Sequence, residues 1–122
     1  MVHMEKKIKS YKDLRIWVKG IEIVKNVYAI TEKYPSKEIY GLVSQMRRAA
    51  VSIPSNIAEG FKRQHNKEYK QFLHASLGSA AELETQIIIS KDLGYVAEQD
   101  FKVIAEMLDH LSRMITVLTQ RL

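Results

Sequence analysis

Five polar side chains in the segment SQMRRAAVSIPSNIAEGFKR, residues 44–63, recur every three or four positions: Gln45, Arg48, Ser52, Asn56 and Glu59. On a helix that spacing places them in one stripe. Amides, hydroxyls, a guanidinium and a carboxylate in line are chemistry for directed hydrogen bonds and charge pairing. They specify a surface for a partner chain, a ligand or nucleic acid. A second stripe, Ile39, Leu42, Val43, Met46, Ala50, Ile53 and Ile57, is apolar and gives the same segment a core face.

Other side chains that suit catalysis are not spaced for it. Glu82 and Glu84 are the acids in the middle of their segment. Two positions apart on a helix, they point about 200° from each other and cannot form one acid/base site. A carboxylate beside Ala80 and Ile88 needs a cationic partner. Arg47 or Arg48 is therefore expected to pair with Glu82 or Glu84, across helices or across protomers, through the planar guanidinium fork. Carboxylate-bridged metal bundles need Glu-x-x-His on two helices, and that pattern does not occur. Glu106, Asp109 and His110 make one incomplete set, which reads as a histidine at a core edge or interface. Ser52 and Ser55 have no histidine near in sequence, and the five glycines form no phosphate loop. No catalytic residue, metal ligand or cofactor is expected.

Charge is divided unevenly over the 122 residues. Residues 1–72 carry 15 Lys and Arg against 7 Asp and Glu, while residues 73–122 carry 4 against 7. A basic half suits an anionic partner. Two clusters supply the charge: Lys6, Lys7, Lys9, Lys12, Arg15 and Lys19 near Tyr11 and Trp17, and Lys62, Arg63, Lys67 and Lys70 near Phe61 and Tyr69. Basic residues interleaved with aromatics fit phosphate contacts combined with base stacking. The candidate binding residues are Lys12, Arg15, Lys62, Arg63, Lys67 and Lys70. Arg48 is secondary, because the ion pair competes for it.

Four helical segments position these groups: Tyr11–Lys33, Lys37–Glu59, Asn66–Asp92 and Ala97–Leu122. The first has a seam at Leu14, Trp17, Ile21, Val24 and Tyr28. The last has one at Phe101, Ile104, Leu108, Leu111, Ile115, Leu118 and Leu122. Pro35 ends the first segment, and Ser36 is placed to cap the second. Pro54 should kink the second, and Gly60 should end it in a left-handed conformation. Asn66 is placed to cap the third segment, with Gly94 just past its end. The expected fold is all-α: a single-domain, antiparallel up-down-up-down four-helix bundle with residues 1–10 as a flexible basic arm.

Ile87, Ile88 and Ile89 in succession cannot all face one core, and Val103, Met107, His110, Met114 and Val117 add a second stripe to the last helix. This excess predicts a homo-oligomer interface. ASLGSAA, residues 75–81, predicts close helix packing around Gly78. With no cysteine and no membrane-length apolar run, a cytoplasmic protein is expected.

The RRA...SIP.NIAEG stretch, followed by FLHASLGSAAELETQI at residues 72–87, resembles the bacterial four-helix-bundle proteins encoded in intervening sequences of 23S rRNA genes. The accessory proteins of diversity-generating retroelements are similar to these. The resemblance runs from Tyr11 to about Leu118. It implies a homo-oligomer, commonly a pentamer, with a basic nucleic-acid-binding surface and no known catalysis. The functional expectation is a non-enzymatic protein that binds RNA or DNA through the backbone. The alternative is a scaffold that docks an acidic partner protein such as a polymerase-like enzyme.

Overall fold

The computed structural model describes residues 8–122, so most of the expected basic arm lies outside the described residues. Four long helices account for the fold: α1 (Arg15–Thr31), α2 (Ser44–Phe61), α3 (Asn66–Asp92) and α4 (Glu98–Gln120). The described residues contain no strand.

The chain enters through a 3-10 turn at Tyr11–Asp13. The Ser10 hydroxyl accepts from the Lys12 amide at 3.2 Å, and the Asp13 carboxylate accepts from the Ser10 amide at 3.2 Å. This reciprocal cap closes the turn that leads into α1, whose own flanking residue, Leu14, makes no side-chain cap.

The centre of the α1 buried face is offset from the expected seam. Ile16, Gly20, Ile23, Val27 and Thr31 are buried, whereas Leu14, Trp17 and Val24 pack on the core edge and Tyr28 is exposed. Gly20 accounts for the shift, because it lets α2 approach. A Cβ at Gly20 would lie 3.3 Å from Pro54 Cβ. The expected seam is one flank of a face wide enough for two neighbouring helices. In α4 the expected seam holds: Ile104, Leu108, Leu111 and Ile115 are buried, with Phe101, Leu118 and Leu122 packed against them. Each of these fully buried Ile and Leu side chains contributes roughly 1.5–3 kcal/mol.

Between α1 and α2 the chain makes a 3-10 turn at Ser36–Glu38 and one π turn at Ile39–Val43, with non-helical backbone at Gly41 (φ −113, ψ −109). Glu38, not Ser36, does the capping. Its carboxylate accepts from the Leu42 amide at 3.3 Å and from the Tyr95 hydroxyl at 2.9 Å. Tyr95 in turn packs on buried Tyr34, with ring centroids 5.4 Å apart.

The helix α2 continues through Pro54 to Phe61. Gly60 has no positive φ, contrary to expectation. It is buried inside α2, where Phe72 and Tyr69 of α3 leave no room for a side chain. The left-handed glycine is Gly94 (φ 79), just past α3, where the Tyr95 amide donates back to the Ser90 carbonyl at 2.9 Å. Gly78 also departs from expectation: it is exposed, and a Cβ there would meet nothing within 4 Å.

Pairs along α2 and α3 run in opposite chain directions: Met46 meets Ser90, Ser52 meets Ser79, and Gly60 meets Phe72. The pairs Thr31–Arg47 and Gly20–Pro54 relate α1 to α2 in the same way. One end of the molecule therefore gathers the start of α1, the end of α2 and the start of α3.

Candidate nucleic-acid interface

The polar stripe on α2 divides by position. Its middle is committed to α3. The Ser52 and Ser79 hydroxyls are 2.8 Å apart, and the Asn56 amide donates to the Ser52 carbonyl and hydroxyl, each at 2.9 Å. Ser76, also on α3, donates to the Ile53 carbonyl at 2.9 Å. Sequence reading missed these α3 serines because their spacing shows no pattern until α2 is laid against them. Gln45, Arg48 and Glu59 remain exposed at the two ends of the stripe.

The end of the molecule where three segments meet collects most of the candidate cations. Tyr11 lines a shallow groove with Ala58, Glu59, Lys62 and Arg63, so the turn that carries Lys12 lies beside the end of α2. Lys12, Lys62 and Lys67 are exposed and Lys70 partly so. Arg63 is more committed. Its guanidinium carbon lies 4.8 Å over the Phe72 ring, and its nitrogens are 3.9 Å from Glu59 and 4.0 Å from Glu68. At those lengths the two carboxylates hold it weakly. The first turn of α3 has no side-chain cap, since His65, not Asn66, is the flanking residue. The positive end of the α3 dipole thus adds to the lysines around it.

Arg15, the first residue of α1, lies at this end but on its α4 side, and Arg48 lies away from it. Arg15 lines a groove between α1 and α4 with Asp13, Glu22 and His110. Arg48 lies 14 residues before Lys62, about 20 Å along the helix axis. The aromatics of the two basic clusters pair with each other. Tyr11 packs edge-on against Trp17 at 5.5 Å, and Phe61 against Tyr69 at 6.2 Å. Burial pushes the Tyr69 hydroxyl above its ordinary pKa. These edge-on contacts tie the helix ends together, and all four rings are partly exposed.

The expected ion pairs take a different form within the chain. Arg47 turns to α1: its Nε donates to the Thr31 hydroxyl at 3.0 Å, and Nη2 lies 3.1 Å from a Glu32 carboxylate oxygen. The guanidinium carbon is 4.4 Å over the Tyr28 ring. Arg48 and Glu82 line one groove but form no ion pair, and Glu82 accepts from Gln86 at 3.3 Å. Glu84 is exposed and has no ion-pair partner among the described residues. Glu32 competes successfully because it sits at the end of α1, beside the start of α2, while Glu84 points away from α2.

A larger groove, of about 900 Å³, opens between the end of α1 and the start of α2. Its rim includes Arg48, Ile39, Val51 and Tyr40, whose side chain is 97% exposed. Tyr40 drew no attention in the sequence because it lies next to the apolar stripe. Asp109, in the incomplete metal set, is held by Arg113 at 3.1 Å. No helix among the described residues is long and apolar enough to cross a membrane.

The family model described as 23S rRNA-intervening sequence protein matches residues 12–117. No curated protein matches. The solved structures include a similar fold, a protein of unknown function from the S23 ribosomal protein family of Bacteroides thetaiotaomicron VPI-5482. It is 17% identical and superposes with a TM-score of 0.77 over 85% of this chain and 97% of that one. At that identity the likeness shows the fold alone.

Proposed function

The chain belongs to the 23S rRNA-intervening sequence protein family, and we propose that it is a non-enzymatic homo-oligomer, a pentameric ring as the family resemblance implies, that binds RNA or DNA through the phosphate backbone. The observation that carries this reading is the convergence of three segments at one end of the bundle. Lys12, Lys62, Lys67 and Lys70 are carried by the segments that meet there, next to the uncapped start of α3. Exposed lysines around a helix N-terminus attract phosphate without reading sequence. Arg63 contributes as a half-committed cation, Arg15 flanks this end on its α4 side, and Arg48 stands about 20 Å along α2 from Lys62.

Repetition of this end around a ring turns weak sites into one avid surface. The test is binding to a structured RNA and to an unrelated DNA duplex across a salt series. Affinity should fall steeply with salt and differ little between sequences. The double reversal Lys62→Glu, Arg63→Glu should nearly abolish binding at unchanged oligomer mass. Unchanged binding by that variant rejects the reading. The protein scaffold that docks an acidic partner would then take its place, since an exposed lysine surface serves both.

A further inference from the structure

We propose that the groove around Arg48 receives the outward face of α3 from a second copy of this chain, with Arg48 meeting Glu84 of the neighbour. The inference rests on the homo-oligomeric part of the proposed function and assigns the two surfaces that make the contact.

Arg48 is an exposed cation without a carboxylate partner among the described residues. It stands on the ridge between two grooves. One holds Ile39, Tyr40 and Val51, and the other holds Gln45, Ser79 and Glu82. Exposed Tyr, Ile and Val around an unpaired Arg have the composition of an interface centre. Glu84 is the complementary case: an exposed carboxylate without an ion-pair partner among the described residues. Ala81 precedes it by three positions and Ile88, 44% exposed, follows it by four, so all three share one face of α3.

These groups cannot meet inside one protomer. Glu82 is the acid that lies in the Arg48 groove, and Glu84 points about 200° away from Glu82 around α3. Lys91, on the same side of α3 as Glu84, contacts Glu98 and Phe101 of α4, which marks that side as remote from α2. A contact between Arg48 and Glu84 must therefore join two copies. Burial of Tyr40, Val51 and Ile88 supplies the driving force, and the charge pair fixes which surfaces meet. Because the two surfaces differ, the contact is head-to-tail, and repetition closes a ring if the rotation allows.

The test compares oligomer mass by light scattering, with helicity checked by circular dichroism. Arg48→Glu and Glu84→Arg should each reduce the assembly to protomers. The double variant Arg48→Glu, Glu84→Arg should restore the parental mass. The chain has no cysteine, so a Val51→Cys, Ile88→Cys variant provides a second measurement. On oxidation it should give covalent multimers that reducing agent dissolves. Parental mass in both single variants, together with failure to cross-link, overturns the assignment while leaving the oligomer intact. A parent that is monomeric at micromolar concentration overturns the homo-oligomer itself. Variants that keep parental mass but lose RNA affinity give the groove to nucleic acid, which also overturns the proposal.

Discussion

Gly60 on α2 sits directly against Phe72 on α3: a Cβ added to Gly60 would lie 2.7 Å from Phe72 Cβ and 3.0 Å from a Tyr69 ring carbon. Phe72 Cβ is the root of its side chain, so relief needs a backbone shift. Gly60→Ala should destabilise by about 1–3 kcal/mol, the range for overpacking a tight contact. Denaturant unfolding measures it, and a neutral result would mean that α3 can move away at no cost. This contact also joins the end of α2, which carries Lys62, to the first turns of α3, which carry Lys67, so RNA affinity should fall along with stability.

Gly78 makes the opposite case. It lies mid-helix with open space beyond it. Gly78→Ala should stabilise the protomer by roughly 0.5–1 kcal/mol through helix propensity alone. Thermal unfolding of a variant held monomeric by Arg48→Glu isolates that effect. Destabilisation in the assembled protein but not in the monomer would place a neighbour against this position.

Arg47 binds three partners of unequal weight. Glu32 has a side chain 80% exposed, and water screens its charge. Thr31 is buried, and the Tyr28 ring lies under the guanidinium. Arg47→Ala should therefore cost about 1–2 kcal/mol, and Glu32→Ala less than about 0.5 kcal/mol. Arg47→Lys should behave nearly like Ala, because an ammonium cannot reproduce the fork. Equal losses at Arg47 and Glu32 would show the surface ion pair to be the main contributor.

Stability should fall at alkaline pH. Burial raises the Tyr34 and Tyr69 hydroxyls above the ordinary value of 10.0, with Ser90 pulling Tyr34 the other way. The fold favours their protonated form. Below pH 10 this contribution is complete. As pH rises beyond that value the unfolded chain ionises first, and stability is lost up to the folded pKa. Tyr34→Phe, Tyr69→Phe should flatten the loss in denaturant titrations between pH 9 and 11. The buried Tyr34 oxygen has no hydrogen-bond partner of good geometry, so its removal should cost little at neutral pH.

Salt dependence separates the candidate cations. If each contact neutralises one phosphate, Lys62→Ala or Lys67→Ala should lower the log–log salt slope by about 1. Arg48→Ala should leave the slope per protomer unchanged in assembled protein, since it lies about 20 Å away along α2. A drop at Arg48 equal to that at Lys62 would reject the separation of the two surfaces.

The sequence alone determined the four helices, the bounds of α3 and the buried seam of α4. Apolar periodicity, Gly94 and Pro35 are local signals, and they act within a few residues. It also marked the basic residues, since charge is read directly from composition. Tertiary structure decided how these were used. Gly20 against Pro54 rotated α1, so that Ile16, Ile23 and Val27 face the core in place of the Trp17 seam. Gly60 became a packing position, because Phe72 arrives from a segment twelve residues later. The arginines were sorted in the same way: Arg47 went to Glu32, while Arg48 has no ion-pair partner among the described residues. Ion pairing depends on which helix end lies alongside, and chain direction in the bundle sets that. The polar stripe combined both levels. Its spacing was legible, but Ser79 was needed to show that Ser52 and Asn56 hold two helices together.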